Sequence, residues 1–159
     1  MNNLAKKIYP LDDCQKELFD LLLKRLEVVL KVGVAKKKNR VPALDKKRWN
    51  QVLESIAQLA REKELSKTLI KNFWEKIHTV ALELEEDIDV PNWNSYLEWE
   101  KDFDALMGKL REEINKLNEP ILEAIFSIQS TQSKKVDEFA VMYIIDDVLR
   151  QVVEHLKTT

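Results

Sequence analysis

Only two glycines and four prolines punctuate this chain of 159 residues. A β-sandwich or barrel reverses direction roughly every 8–12 residues, and those reversals draw on glycine and proline. The chain lacks material for them, so an all-α fold is expected. The apolar pattern agrees, because hydrophobic residues recur at spacings of three and four in five segments, as helices with one buried face require. The first helix is expected from about Leu11 to Lys37, ending before Asn39-Arg40-Val41-Pro42. The second opens on Asp45 as its N-cap and runs to about Glu62, and the third is capped by Ser66 and continues to about Asp87. Asp89-Val90-Pro91-Asn92-Trp93-Asn94-Ser95 reads as the clearest loop. A fourth helix is expected over about Tyr96 to Ile128, with Pro120 liable to kink it. Ser127 to Ser133 reads as a turn, and a fifth helix fills about Lys134 to Leu156. No Gly/Ser linker divides these pieces, so one helical bundle over 1–159 is the economical organisation.

Composition narrows the partners. At 45% apolar and 34% charged residues the chain can bury a core and stay in solution. Its net charge is −2 and neither half is strongly basic, so no nucleic-acid partner is expected. Cys14 is the single cysteine and cannot form an internal disulfide. His78 and His155 lie far apart without ligand spacing, so no metal is expected. No apolar run approaches the roughly 20 residues of a membrane span, and Met1 to Pro10 has no apolar stretch of the signal-peptide kind. Trp93, Tyr96 and Trp99 read as loop packing or an interface, and Phe126, Phe139 and Tyr143 as core of the fourth and fifth helices.

The chemistry lies in charges that stand where apolar residues should. The first helix carries the row Leu11, Cys14, Leu18, Leu21, Arg25, Val29, Val32, Lys36, every step three or four residues. All eight share one face, and the two cations interrupting it stand roughly 16 Å apart along the axis. The second helix has Asp45 and Arg48 heading the row Val52, Ile56, Leu59. In the third, Phe73, Ile77 and Ala81 lead to Glu85; in the fourth, Arg111 borders Met107, Leu110, Ile114, Leu117 and Ile121. Each charge alone reads as a snorkelling side chain, a capping pair or a helix rim. Together, Arg25, Lys36, Arg48 and Arg111 outnumber Asp45 and Glu85. Cations facing a core need anions, and the surplus points to a small carboxylate-bearing ligand, which the guanidinium fork suits well.

The same residues resemble the all-helical chorismate mutases. That family's core is matched by Leu21-Leu22-Leu23-Lys24-Arg25, Val32-Gly33-Val34-Ala35-Lys36 and Val41-Pro42-Ala43-Leu44-Asp45-Lys46-Lys47-Arg48. Leu65-Ser66, Phe73-Trp74 and Glu85 extend the match, which runs from about Leu11 to Asp87. Ile8 stands where the family's short dimeric members place an arginine donated to the neighbouring site. Leu110-Arg111-Glu112-Glu113-Ile114, Leu117-Asn118 and Ile121-Leu122 read instead as a second copy of the family's first helix. This is similar to the longer, usually exported subclass, in which one pseudo-duplicated bundle builds its own site. The resemblance implies a site-bearing core at 1–88, a second helical half at 96–159, and a periplasmic or secreted enzyme, with a cytoplasmic one also compatible. A homodimer would not be needed to complete the site, although many relatives form one.

The resemblance further implies that chorismate is the substrate and prephenate the product, by a Claisen rearrangement that uses no cofactor. Arg25 and Arg111 would grip the substrate carboxylates, and Lys36 would hydrogen-bond the ether oxygen. Arg48 would order the site and Asp45 would bind the ring hydroxyl or fix the cations. Glu85 would face the ether oxygen from the other side, and it can donate there only when protonated. Ala81 stands where relatives often place a hydroxyl that touches substrate. Two other functions fit the residues: isochorismate pyruvate lyase on the same scaffold, or a helical interaction protein that has lost catalysis.

Overall fold

The computed structural model describes residues 12–38, 46–86, 103–131 and 138–158. Among them are five α-helices: α1 (Asp13–Lys38), α2 (Lys46–Glu62), α3 (Lys67–Glu86), α4 (Phe103–Ser130) and α5 (Glu138–Thr158). The fold is all-α, as the glycine-poor, helix-periodic sequence requires.

Local chemistry sets the helix ends. At the start of α1, Gln15 N donates to Asp12 Oδ1 at 2.8 Å while Asp12 N donates to Gln15 Oε1 at 3.4 Å. This reciprocal capping box satisfies two of the amides that a helix start leaves unpaired. The end of α2 is a Schellman turn: Leu65 N donates to Ala60 O at 2.8 Å and Glu64 N to Arg61 O at 3.1 Å. Glu64 takes the left-handed position at φ 60°. Ser66 caps α3 as expected, its Oγ accepting from Leu69 N at 3.2 Å. α4 runs through Pro120, forgoing one backbone hydrogen bond there. It also continues past the turn expected from Ser127 onward. The hydroxyls of Ser130 and Thr131 bond back to the carbonyls of Phe126 and Ile128, so polar residues that favour a loop here serve the last helical turn instead.

α1 is the central element. It packs most extensively on α4 and also meets α3 and α5, while α2 lies on α3 and touches α4. Arg25 of α1 pairs with Asn118 of α4, whereas Val34 and Ala35 cluster with Leu106, Met107 and Leu110. Rising numbers on one helix meet falling numbers on the other, so α1 and α4 are antiparallel. The main core gathers Leu18, Leu22 and Leu26 of α1, Phe73, Trp74 and Ile77 of α3, Ile121 and Ile125 of α4, and Val141, Ile145 and Val152 of α5.

One expectation fails. Phe126, Phe139 and Tyr143 are exposed at 38%, 81% and 75% rather than buried in the core. On α5 the buried row is Val141, Ile145, Val148 and Val152, and positions 139 and 143 fall on the opposite side of a 3.6-residue helix. Aromatic character was a poorer guide there than phase. Among the described residues, no helix is long and apolar enough to cross a membrane. Trp93, Tyr96 and Trp99 lie outside the described residues.

Candidate active site

Four helices wall a cavity of about 130 Å³. α1 contributes Arg25, Val29, Val32 and Lys36, which are the later members of its interrupted row, and α2 contributes Arg48, Trp49 and Val52. α3 adds His78 and Ala81, and α4 adds Arg111, Ile114 and Asn115. The structure thus brings Arg25, Lys36, Arg48, Ala81 and Arg111 to one place. The described lining includes no carboxylate. Asp45, expected beside Arg48, lies outside the described residues.

Arg25 is the most constrained of these groups. It is 6% exposed, and its Nε donates to Asn118 Oδ1 at 3.2 Å. Its guanidinium carbon stands 5.5 Å from the centre of the Trp74 ring, a cation–π distance. Burial pushes its pKa down to about 10, so it still carries its charge at neutral pH. A buried cation held by a neutral amide and an indole face, rather than by a carboxylate, keeps its field available to an incoming anion. Asn118 itself is 7% exposed, and the sequence offered only one hint of its role, a polar residue one position beyond the Leu110–Leu117–Ile121 row.

Glu85 does not line the cavity. It sits about one turn beyond Ala81, 8% exposed, against the backbone of α1 at Gly33. A Cβ on Gly33 would stand 2.5 Å from Glu85 Cδ, so glycine is what permits this approach. Burial raises the Glu85 pKa, while Lys36 and Lys37 pull against that rise without cancelling it. Lys37 Nζ donates to the Glu85 carbonyl, tying the ends of α1 and α3 together.

His78 was weighed in the sequence only as a metal ligand. It stacks on Trp49 at 4.0 Å between ring centres with 14° between planes. Burial lowers its pKa, and the charges of Arg25 and Lys36 lower it further, so the ring is neutral around pH 7. Its Nε2 and the Nε1 of Trp74 are buried without hydrogen-bond partners. The signal for His78 was its phase: Trp74, His78, Ala81 and Glu85 follow one another at four, three and four residues, on the face that Ala81 and Glu85 already marked.

A compact cavity with two cations from α1, one from α2 and one from α4, its remaining wall mostly apolar apart from His78 and Asn115, is suited to a small anion with an apolar body. Residues 10–86 match the family model described as chorismate mutase type II. No curated protein and no solved structure matches the chain.

Proposed function

We propose that this protein rearranges chorismate to prephenate, a reading that starts from the match of residues 10–86 to the chorismate mutase type II family model. The observation that carries the reading is the gathering of Arg25, Lys36, Arg48 and Arg111 around one apolar-walled cavity whose described lining has no acid. The substrate is a dianion, and its two carboxylates are the kind of group that gathered guanidinium and ammonium side chains bind.

The reaction is intramolecular. The ether C–O bond breaks as a C–C bond forms between the enolpyruvyl arm and the ring, with no proton or electron exchanged with the protein. Two things limit it in water: the arm is rarely folded over the ring, and negative charge builds on the ether oxygen. Arg25 and Arg111 meet the first by holding one carboxylate each, which fixes the arm over the ring and removes the entropy of the search. Lys36 meets the second by donating to the ether oxygen as its charge grows. Both are strongest in a site that excludes water and is organised before the substrate arrives. Arg25 is already held by Asn118 and Trp74. Arg48 strengthens the field from α2. Lys36, Arg48 and Arg111 are only half-buried, so they form the part of the wall nearest the solvent.

Glu85 completes the set from the far end of α3, outside the described lining but within the field of Lys36, which lines the cavity. As a neutral acid it donates a second hydrogen bond toward the ether oxygen; as a carboxylate it would oppose the charge developing there. Its raised pKa favours the donor form.

The test is loss of chorismate ultraviolet absorbance with prephenate as product, run beside Arg25→Ala. Removing one preorganised donor of this kind lowers turnover by about 10²–10³-fold, and that is the expected loss. Consumption of isochorismate with chorismate untouched would reassign the protein as the lyase. Inactivity toward both would leave a binding protein on this scaffold.

A further inference from the structure

Two polar side chains that the rearrangement as described does not use, Asn115 and His78, line the cavity. His78 lines it from α3, and its Nε2 is buried with no hydrogen-bond partner. A buried polar atom without a partner is uncommon and unfavourable. It persists where the fold holds it rigidly or where a ligand completes it. Here the fold holds it: the ring lies flat on Trp49 at 4.0 Å, which fixes its plane.

Ala81 gives the second observation. It is 3% exposed, lines the same cavity and brings no polar atom. His78 stands three residues before it on α3, nearly one turn away and on the same face. Along this strip of α3, the imidazole is the only side chain with a polar atom among the described lining residues. The ring is ringed by charge: Arg25 and Lys36 from α1, Arg48 and Lys46 from α2, Arg111 from α4 and Glu75 from α3 itself. Five of these six groups are cations, which disfavour a further positive charge on the ring and favour an anion beside it.

We propose that His78 is a substrate-binding residue whose Nε2–H donates to a carboxylate of the bound dianion, supplying from α3 the hydrogen bond that Ala81 cannot. The assignment rests on the mutase reading for the identity of the dianion. A neutral imidazole suits the task because its donor costs no desolvation of a fifth cavity charge when the site is empty. Once a dicarboxylate is seated, its negative charge also draws the ring toward protonation, so ligand binding and the His78 pKa are linked.

The experiment uses the full chain with chorismate as probe. In turnover, His78→Leu raises KM by about tenfold, the usual size for one hydrogen bond to a charged group, with a smaller change in kcat. His78→Gln, which keeps an N–H donor, recovers most of the loss. Ala81→Ser placed in the His78→Leu background recovers part of it, a rescue that a purely structural histidine would not allow. In parallel, the imidazole Cε1–H resonance of His78 moves on addition of chorismate and its titration midpoint rises, while the resonance of His155, which packs on Phe19 outside the cavity lining, serves as the reference. Unchanged KM in His78→Leu together with a His78 resonance indifferent to chorismate would overturn the proposal. So would a His78→Gln variant no better than His78→Leu. If the wild-type protein binds chorismate without consuming it, the mutase reading fails separately, and the His78 resonance still decides: a shift supports the contact and no shift refutes it.

Discussion

The two faces of α3 solve opposite problems with the same kinds of residue. Toward α5, α3 lines a groove of about 760 Å³ that also takes in Asp146, Arg150 and Lys157. Its charges include the partly exposed pair of Lys76 Nζ and Asp146 Oδ2 at 2.6 Å. Toward α1 and α4 the cavity is far smaller, yet it holds a nearly solvent-free arginine, with a buried glutamate about one turn of α3 beyond its lining. The larger opening therefore has the weaker field. Water screens the groove's charges and they neutralise one another. At Arg25 in the cavity, burial has removed most of the screening and the partners are an amide and an indole. Volume alone would choose the wrong face.

Four experiments bear on that contrast, the largest effect first. Above the Glu85 pKa, wild-type turnover falls by about tenfold per pH unit as the donor form is lost, and Glu85→Gln gives a flat profile over the same range. A wild-type profile already flat would remove Glu85 from the chemistry. The sign for stability follows from the same shift. Because the folded pKa lies above the unfolded one, the folded state holds the proton more tightly, and stability is lost as pH rises from the ordinary carboxylate range through the raised value. Glu85→Gln removes that loss, which urea denaturation at several pH values would register.

The two glycines sharpen the contrast by a smaller amount. Gly33→Ala drives a methyl to within 2.5 Å of Glu85, and the overpacking is expected to destabilise by about 1–3 kcal/mol, offset in part by better helix propensity. Gly108→Ala meets nothing within 4 Å and should stabilise by up to about 1 kcal/mol. Thermal melts of the two variants should therefore shift in opposite directions. The smallest effect belongs to the groove. Lys76→Ala is expected to change stability by less than about 1 kcal/mol and to leave kcat/KM unaltered. A drop in turnover there would undo the separation of the faces.

How much of this the sequence disclosed depended on whether the signal was periodic. Helix positions followed from three-four spacing, and Ser66 announced α3 through its capping chemistry. The cations were conspicuous for the opposite reason, Arg25 and Lys36 as breaks in an apolar row and Arg111 at the border of one. His78 and Asn118 broke no rule in one dimension. A histidine on a helix face and an asparagine beside an apolar row are ordinary until α1 and α4 are laid antiparallel and α2 brings Trp49 onto the ring. The errors at Phe126, Phe139 and Tyr143 come from weighing residue type above phase. The extra turn at Ser130 arose because hydroxyls that end helices can equally bond back to them.

Arg111 and Asn118 sit seven residues apart on α4, about two turns of one rod. One meets the cavity directly and the other orients Arg25 across the helix interface. They move together or not at all. Sliding α4 along α1 by a single turn, roughly 5.4 Å, would withdraw the second arginine and unhook the first in the same motion. The two cationic grips therefore share one mechanical coordinate, the register of the α1–α4 pair.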